Sequence, residues 1–203
     1  MRIRVSPRAA ALVGGAALAV VWGVLNGRGG KDALSVGEML TVGMAALLHE
    51  FGHAAAAWGW GVPIRSLKLD LFGARMELGG LTGYTAELAV AAGGPFVSLL
   101  CFALAWPLGG YGEGAYLFAT ASLGLGMLNL LPVRGLDGGR MLSGALSLLL
   151  GDRTADTVLR VTTGSALGGL WLSSVYALLR AGETLSLFAF SLCLLIRLWG
   201  DEK

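Results

Sequence analysis

The sequence predicts an all-α polytopic membrane protein of about six transmembrane helices, with a small β-hairpin after the second. Composition, uncharged runs of membrane-spanning length and one alternating stretch predict it. Of 203 residues, 55% are hydrophobic and 14% charged, with a mean hydropathy of +0.71; soluble domains carry about 25% charged residues. One small core cannot hide that much apolar surface, so lipid is the solvent that suits it.

A helical span needs about 20 consecutive, mostly apolar residues. Six runs qualify: 9–25, 39–60, 88–111, 114–133, 161–179 and a shorter 184–196. The first follows a basic segment (Arg2, Arg4, Arg8). It is longer than a signal-peptide core and lacks a small-residue cleavage site, which favours a retained helix. The second contains only His49, Glu50 and His53 as ionisable groups. Thirty-three glycines suit helices packed closely in lipid, Gly164 and Gly168 being one small-xxx-small pair. Between the second and third runs, 64–78 alternates apolar and polar residues around Phe72-Gly73, the pattern of a hairpin at the membrane surface.

With the N-terminus in the cytoplasm, twelve Lys and Arg residues fall on the cytoplasmic side and three (Arg28, Lys31, Arg180) on the other. This bias orients a multi-pass protein of the bacterial cell membrane with both termini inside. A net charge of +2 gives no reason to invoke nucleic acid. Cys101 and Cys193 sit in separate spans without metal-type spacing and read as small apolar residues. No linker, repeat or low-complexity tail divides the chain, so 1–203 reads as one membrane-embedded domain. Its core is 39–145, with accessory helices at 9–26 and 157–199.

The sharpest chemical signal is His49-Glu50-Phe51-Gly52-His53. Histidines four apart share one helical face and can reach one metal ion, and the glutamate between them can serve as general base. They are the chain's two histidines, and ionisable groups inside a span are costly unless satisfied. The bland alternative is a hydrogen-bonded core pair with a stray glutamate. Catalytic zinc takes three protein ligands and leaves one position open. The metzincin position for a third histidine is Gly59. The better candidate is Asp137 in Asn129-Leu-Leu-Pro-Val-Arg-Gly-Leu-Asp-Gly-Gly-Arg140, where Pro132 and Gly135 break the helix and Gly138-Gly139 permit close backbone approach. Taken alone, Asp137 would read as a turn or helix cap.

H-E-x-x-H at His49–His53, and N-x-x-P-x-x-x-x-D-G at Asn129, Pro132, Asp137 and Gly138, resemble the two motifs of the site-2 protease family, M50. Gly93-Gly94-Pro95 is similar to that family's G-P loop at the third core helix, and the compact layout is similar to its sporulation-factor-processing subgroup. The resemblance covers 39 to about 145. It implies an intramembrane zinc metalloprotease with one Zn²⁺ per chain, held by His49, His53 and Asp137, with Glu50 as the base. Asn129, Gly94 and Pro95 would be substrate or transition-state contacts. The implied partners are the lipid bilayer and a membrane-anchored or single-span protein substrate cut from the cytoplasmic side; a membrane inhibitor or regulator has room beside them. Ser98 stands where the family often has asparagine, which weakens any substrate contact at that point. No PDZ-like or nucleotide-sensing module is visible.

Three rivals stay open. A prenyl-protein-type membrane metalloprotease would take its third ligand from a later glutamate, for which Glu183 is the candidate. A metal transporter could use the same three ligands without needing Glu50 as a base. A silent membrane scaffold would leave the motif idle. Glu87 reads as an interfacial residue or a gate.

Overall fold

The computed structural model describes residues 2–5, 36–70, 73–78 and 83–181. Its contacts divide the chain into two compact units, Met1–Leu128 and Asn129–Lys203. In the first, β1 (Arg2–Val5) precedes α1 (Val36–Gly59), β2 (Ile64–Asp70), β3 (Gly73–Leu78) and α2 (Tyr84–Ala105); a 3-10 segment, Trp106–Tyr111, then leads into α3 (Glu113–Asn129). The second contains α4 (Asp137–Leu150) and α5 (Asp152–Ala181). The expected spans at 9–25 and 184–196, together with Glu183 and Cys193, lie outside the described residues.

The faces of α1 invert the pattern of a soluble helix. Its buried residues are Ala45, His49, Gly52, His53 and Ala57, which recur at intervals of three and four and so share one face. Leu40, Met44, Leu47, Phe51 and Trp58 are exposed. Water would penalise a stripe of large apolar side chains; lipid does not, and it leaves small residues for the helix–helix contact. Among the described residues one segment, Tyr84–Tyr111, is long and apolar enough to cross a membrane.

Backbone contact joins α1 to α2. A Cβ on Gly93 would stand 2.5 Å from the Gly52 carbonyl oxygen and 2.8 Å from the Ala56 Cβ, and one on Gly52 would overlap the Gly93 carbonyl. Beside this crossing, Ala57, Val62 and Val90 form a buried apolar cluster flanked by Ala56, Ile64 and Ala86. Gly94 and Pro95 do not form the loop expected from the sequence; they lie inside α2. Apolar sequence on both sides carries the helix through, and the hydrogen bond that proline removes is tolerated where neighbouring groups pack closely.

In the sheet, β2 pairs in parallel with β1 and antiparallel with β3. Leu67 stands opposite Met76, and the register shifts between Ile64 and Ser66.

In the second unit, the stretch 134–160 has the composition of a polar interruption between spans, yet it contains α4 and the start of α5. With 14 residues, α4 is about 21 Å long, too short to register as a span. Gly151, at φ +82°, joins the two helices in a backbone conformation that favours glycine. α4 and α5 pack against each other. The buried face of α5 runs through Ala155, Leu159, Thr163 and Leu167 at four-residue intervals.

If the glycine crossing holds α1 to α2, Gly93→Ala destabilises the detergent-solubilised protein by about 1–3 kcal/mol through forced overlap. A methyl group at Gly43 would meet nothing within 4 Å, so Gly43→Ala is neutral or gains up to about 1 kcal/mol of helix propensity. Thermal unfolding of the two variants measures the contrast.

Candidate functional site

His49 and His53 lie one turn apart on the buried face of α1, 3% and 5% exposed. Their ring centroids are 5.0 Å apart with the planes at 84°, and the two imidazoles offer nitrogens within 4.8 Å of each other. Gly94 of α2 shows where those nitrogens gather. A Cβ on Gly94 would overlap His53 Nε2 and stand 2.8 Å from His49 Nε2. Both Nε2 atoms therefore crowd one point that any residue other than glycine would fill.

The other ring nitrogens are engaged. His53 Nδ1 lies 2.7 Å from the Val90 carbonyl oxygen. The Gly94 N–H also approaches that nitrogen, at 3.3 Å, but one nitrogen cannot both donate and accept. A carbonyl can only accept and the Val90 contact is shorter, so Nδ1 carries the proton and Nε2 presents its lone pair. His49 Nδ1 lies 2.8 Å from the hydroxyl of Ser98, itself 1% exposed. Paired Nδ1 atoms with converging Nε2 atoms form the arrangement in which histidines bind a metal. The donor set therefore fits a zinc ion. Glu50 follows His49 on α1 and is half-buried; Gly94 and Pro95 are buried within α2, and Asn129, half-buried, ends α3.

In the second unit, Asp137 is the first residue of α4 and 8% exposed. It is not the helix cap that its sequence context suggests, because Leu136 occupies the N-cap position. The helix N-terminus favours a carboxylate there, and Arg140 Nη1 lies 3.7 Å from its oxygen. The preceding loop is tightly wound: the Val133 N–H donates to the Leu131 carbonyl at 2.7 Å and the Leu136 N–H to the Val133 carbonyl at 3.0 Å, while Gly135 takes φ +95°. Gly138 and Gly139 pack directly on the Leu130 and Val133 carbonyls, where a Cβ would overlap.

A brace from α5 completes this loop. Thr163 Oγ1 accepts from the Arg134 N–H at 2.9 Å and donates to the Pro132 carbonyl at 3.5 Å. Asp156 pairs with the Arg134 side chain and accepts from Arg160 Nε at 2.9 Å. Desolvation pushes the Asp156 carboxyl up, but the guanidinium groups of Arg160 and Arg134 outweigh it and hold the carboxyl below its usual range.

Sequence reasoning missed the partners: Val90, Ser98, Asp156 and Thr163. Ser98 was visible as a polar residue in an uncharged run. The others carry no signal, since a carbonyl partner has no side-chain identity and the α5 residues contact the loop only after folding.

Removing the Thr163 hydroxyl leaves the Arg134 N–H without its acceptor, so Thr163→Val costs about 1–3 kcal/mol and speeds hydrogen exchange at 133–136. Because the folded-state pKa of Asp156 is lowered, its contribution is present at neutral pH and fades as pH falls through that lowered value. The thermal-stability gap between wild type and Asp156→Asn, open at pH 7, therefore closes below about pH 4.

No family model matches the sequence. Among curated proteins, the chain is 34% identical over 206 residues to the zinc metalloprotease Rip3 of Mycobacterium tuberculosis, a match covering 85% of this chain and 50% of Rip3. It is 31% identical over 138 residues to the zinc metalloprotease sll0528 of Synechocystis, covering 64% of this chain and 36% of that protein. The chain thus spans about half the length of Rip3 and about a third of sll0528. The fold matches the site-2 protease from Methanocaldococcus jannaschii with a TM-score of 0.68 at 20% identity, over 95% of this chain and 86% of that one. With two sequence motifs, curated relatives and a shared fold in agreement, the chain belongs to the site-2 protease family, M50, of membrane zinc metalloproteases.

Proposed function

We propose that this chain is an intramembrane zinc metalloprotease that cuts membrane-anchored or single-span proteins from the cytoplasmic side. The observation that carries this is the histidine pair, with both Nε2 atoms crowded over Gly94 and the His53 tautomer set by the Val90 carbonyl. His49 and His53 would hold one Zn²⁺ per chain, with Asp137 as third ligand. Support for Asp137 comes from its place in the family motif and from a carboxylate that is buried at a helix N-terminus. When bound, zinc supplies Lewis-acid polarisation of the scissile carbonyl and acidifies water to a pKa of about 7.

The chain's own groups do the rest. Glu50 accepts a proton from the attacking water and returns it to the departing amine nitrogen. Asn129 donates a hydrogen bond to the substrate carbonyl, and the Gly94-Pro95 segment lines the substrate side. The positive-inside bias supports a multi-pass topology of six spans with both termini cytoplasmic, and a membrane inhibitor would compete for the same entry.

A peptide bond in a helix is shielded, so the substrate must be presented extended. β3 pairs on one side with β2 and has no strand on its other edge among the described residues. That edge would accept a substrate strand by β-augmentation. Met76→Pro is then expected to slow cleavage while zinc content stays at the wild-type level; an unchanged rate would remove the edge from the mechanism.

The central test is metal analysis of the purified protein, followed by co-expression with tagged single-span reporters. Wild type should carry about one zinc per chain and cleave. Glu50→Gln should keep the zinc and lose at least about 10²-fold in cleavage, the contribution typical of a general base. His49→Ala, His53→Ala and Asp137→Ala should each lose zinc. Metal transport that survives Glu50→Gln would make the chain a transporter, and zinc retained in Asp137→Ala but lost in Glu183→Ala would assign the prenyl-protein-type ligand set.

A further inference from the structure

The two histidines are oriented by partners of different kinds. For His53 the partner is a backbone carbonyl, Val90, which no side-chain change removes. For His49 it is a side chain, the Ser98 hydroxyl, 49 residues away on α2 and 2.8 Å from Nδ1. Building on the metalloprotease reading, we infer that Ser98 is a positioning residue of the metal site, whose hydroxyl holds the His49 ring so that Nε2 faces the ion.

Three observations carry the inference. A histidine ligand binds through one nitrogen, and the hydrogen bond at the other sets both tautomer and ring angle; His49 Nε2 stands beside His53 Nε2 over Gly94, which leaves Nδ1 for Ser98. Ser98 is only 1% exposed, so its hydroxyl is withdrawn from an incoming substrate. A third helix holds it in place. Gly126 of α3 is buried, and a Cβ there would stand 3.1 Å from the Ser98 Cβ and 3.6 Å from the Pro95 carbonyl oxygen. Glycine at 126 lets α3 close over Ser98, fixing its backbone position and excluding water that would compete for the hydroxyl. The polar group at position 98 thus serves a metal ligand, where an asparagine in related sequences would be free to meet substrate.

The test uses the full chain in detergent. Zinc affinity is read by competition with a chromophoric chelator, and ligand geometry by the visible absorption of the Co²⁺-substituted protein. Ser98→Ala removes one oxygen and leaves no overlap, so the metal-free protein should unfold at close to the wild-type temperature. Its zinc affinity should fall about 10- to 100-fold, the range typical for losing a ligand's supporting hydrogen bond, with a shifted Co²⁺ spectrum. Ser98→Thr, which keeps the hydroxyl, should recover most of the affinity. Unchanged affinity and spectrum in Ser98→Ala would overturn the inference while leaving the metal reading intact. Equal losses in the Ala and Thr variants that follow a drop in metal-free stability would also overturn it, assigning packing alone. A wild type that binds no zinc would remove the metal reading itself, and this inference with it.

Discussion

The first unit depends on the close approach of α1 and α2 at Gly52 and Gly93. Packed helices usually sit 8–10 Å apart, axis to axis, a spacing set by side chains at the contact. Two facing glycines remove those side chains, and the carbonyl of each helix occupies the space where the other's Cβ would be. Only at that range can an imidazole on α1 reach a backbone carbonyl on α2, as His53 does with Val90. Gly94, next to the crossing, extends the same logic from backbone to chemistry by vacating the volume in which the two Nε2 atoms meet.

Lipid explains why such a site can be built from so few polar residues. On α1 the large apolar side chains point outward and the small and polar ones inward, so the interior holds histidines, serines and glycines. A polar group there has no water to fall back on and must find a protein partner. His49 and Ser98 satisfy one another, and His53 takes a carbonyl. The same requirement that stabilises the pair also selects the tautomer suited to binding a metal, so satisfying buried polar groups and preparing a ligand set are here one event.

The second unit solves a comparable problem by different means. Asp137 is carried on a loop, and a loop holds a side chain less firmly than a helix does. Its rigidity comes from short internal hydrogen bonds, from two glycines pressed on the Leu130 and Val133 carbonyls, and from Thr163 and Asp156 on α5. The helix α5, outside the motif-bearing core by sequence, therefore contributes to how the loop is held.

The chemistry and the helical membrane character were legible in the amino-acid order, because both are local. Two histidines four residues apart share a face of any α-helix, a glutamate between them stands beside the metal position, and a proline and glycine after an apolar run end a helix wherever it lies. The ends of α1 and α3 follow from such signals to within a few residues, whereas α4 escaped because its length falls below that of a span. Folding in three dimensions was needed to place Gly94 within a helix under the imidazoles, to bring Ser98 and Val90 to the Nδ1 atoms, and to set α5 against the Asp137 loop. These contacts join residues 22 to 49 apart, and their strength depends on ångström-scale distances between helices, which residue spacing along a chain does not encode.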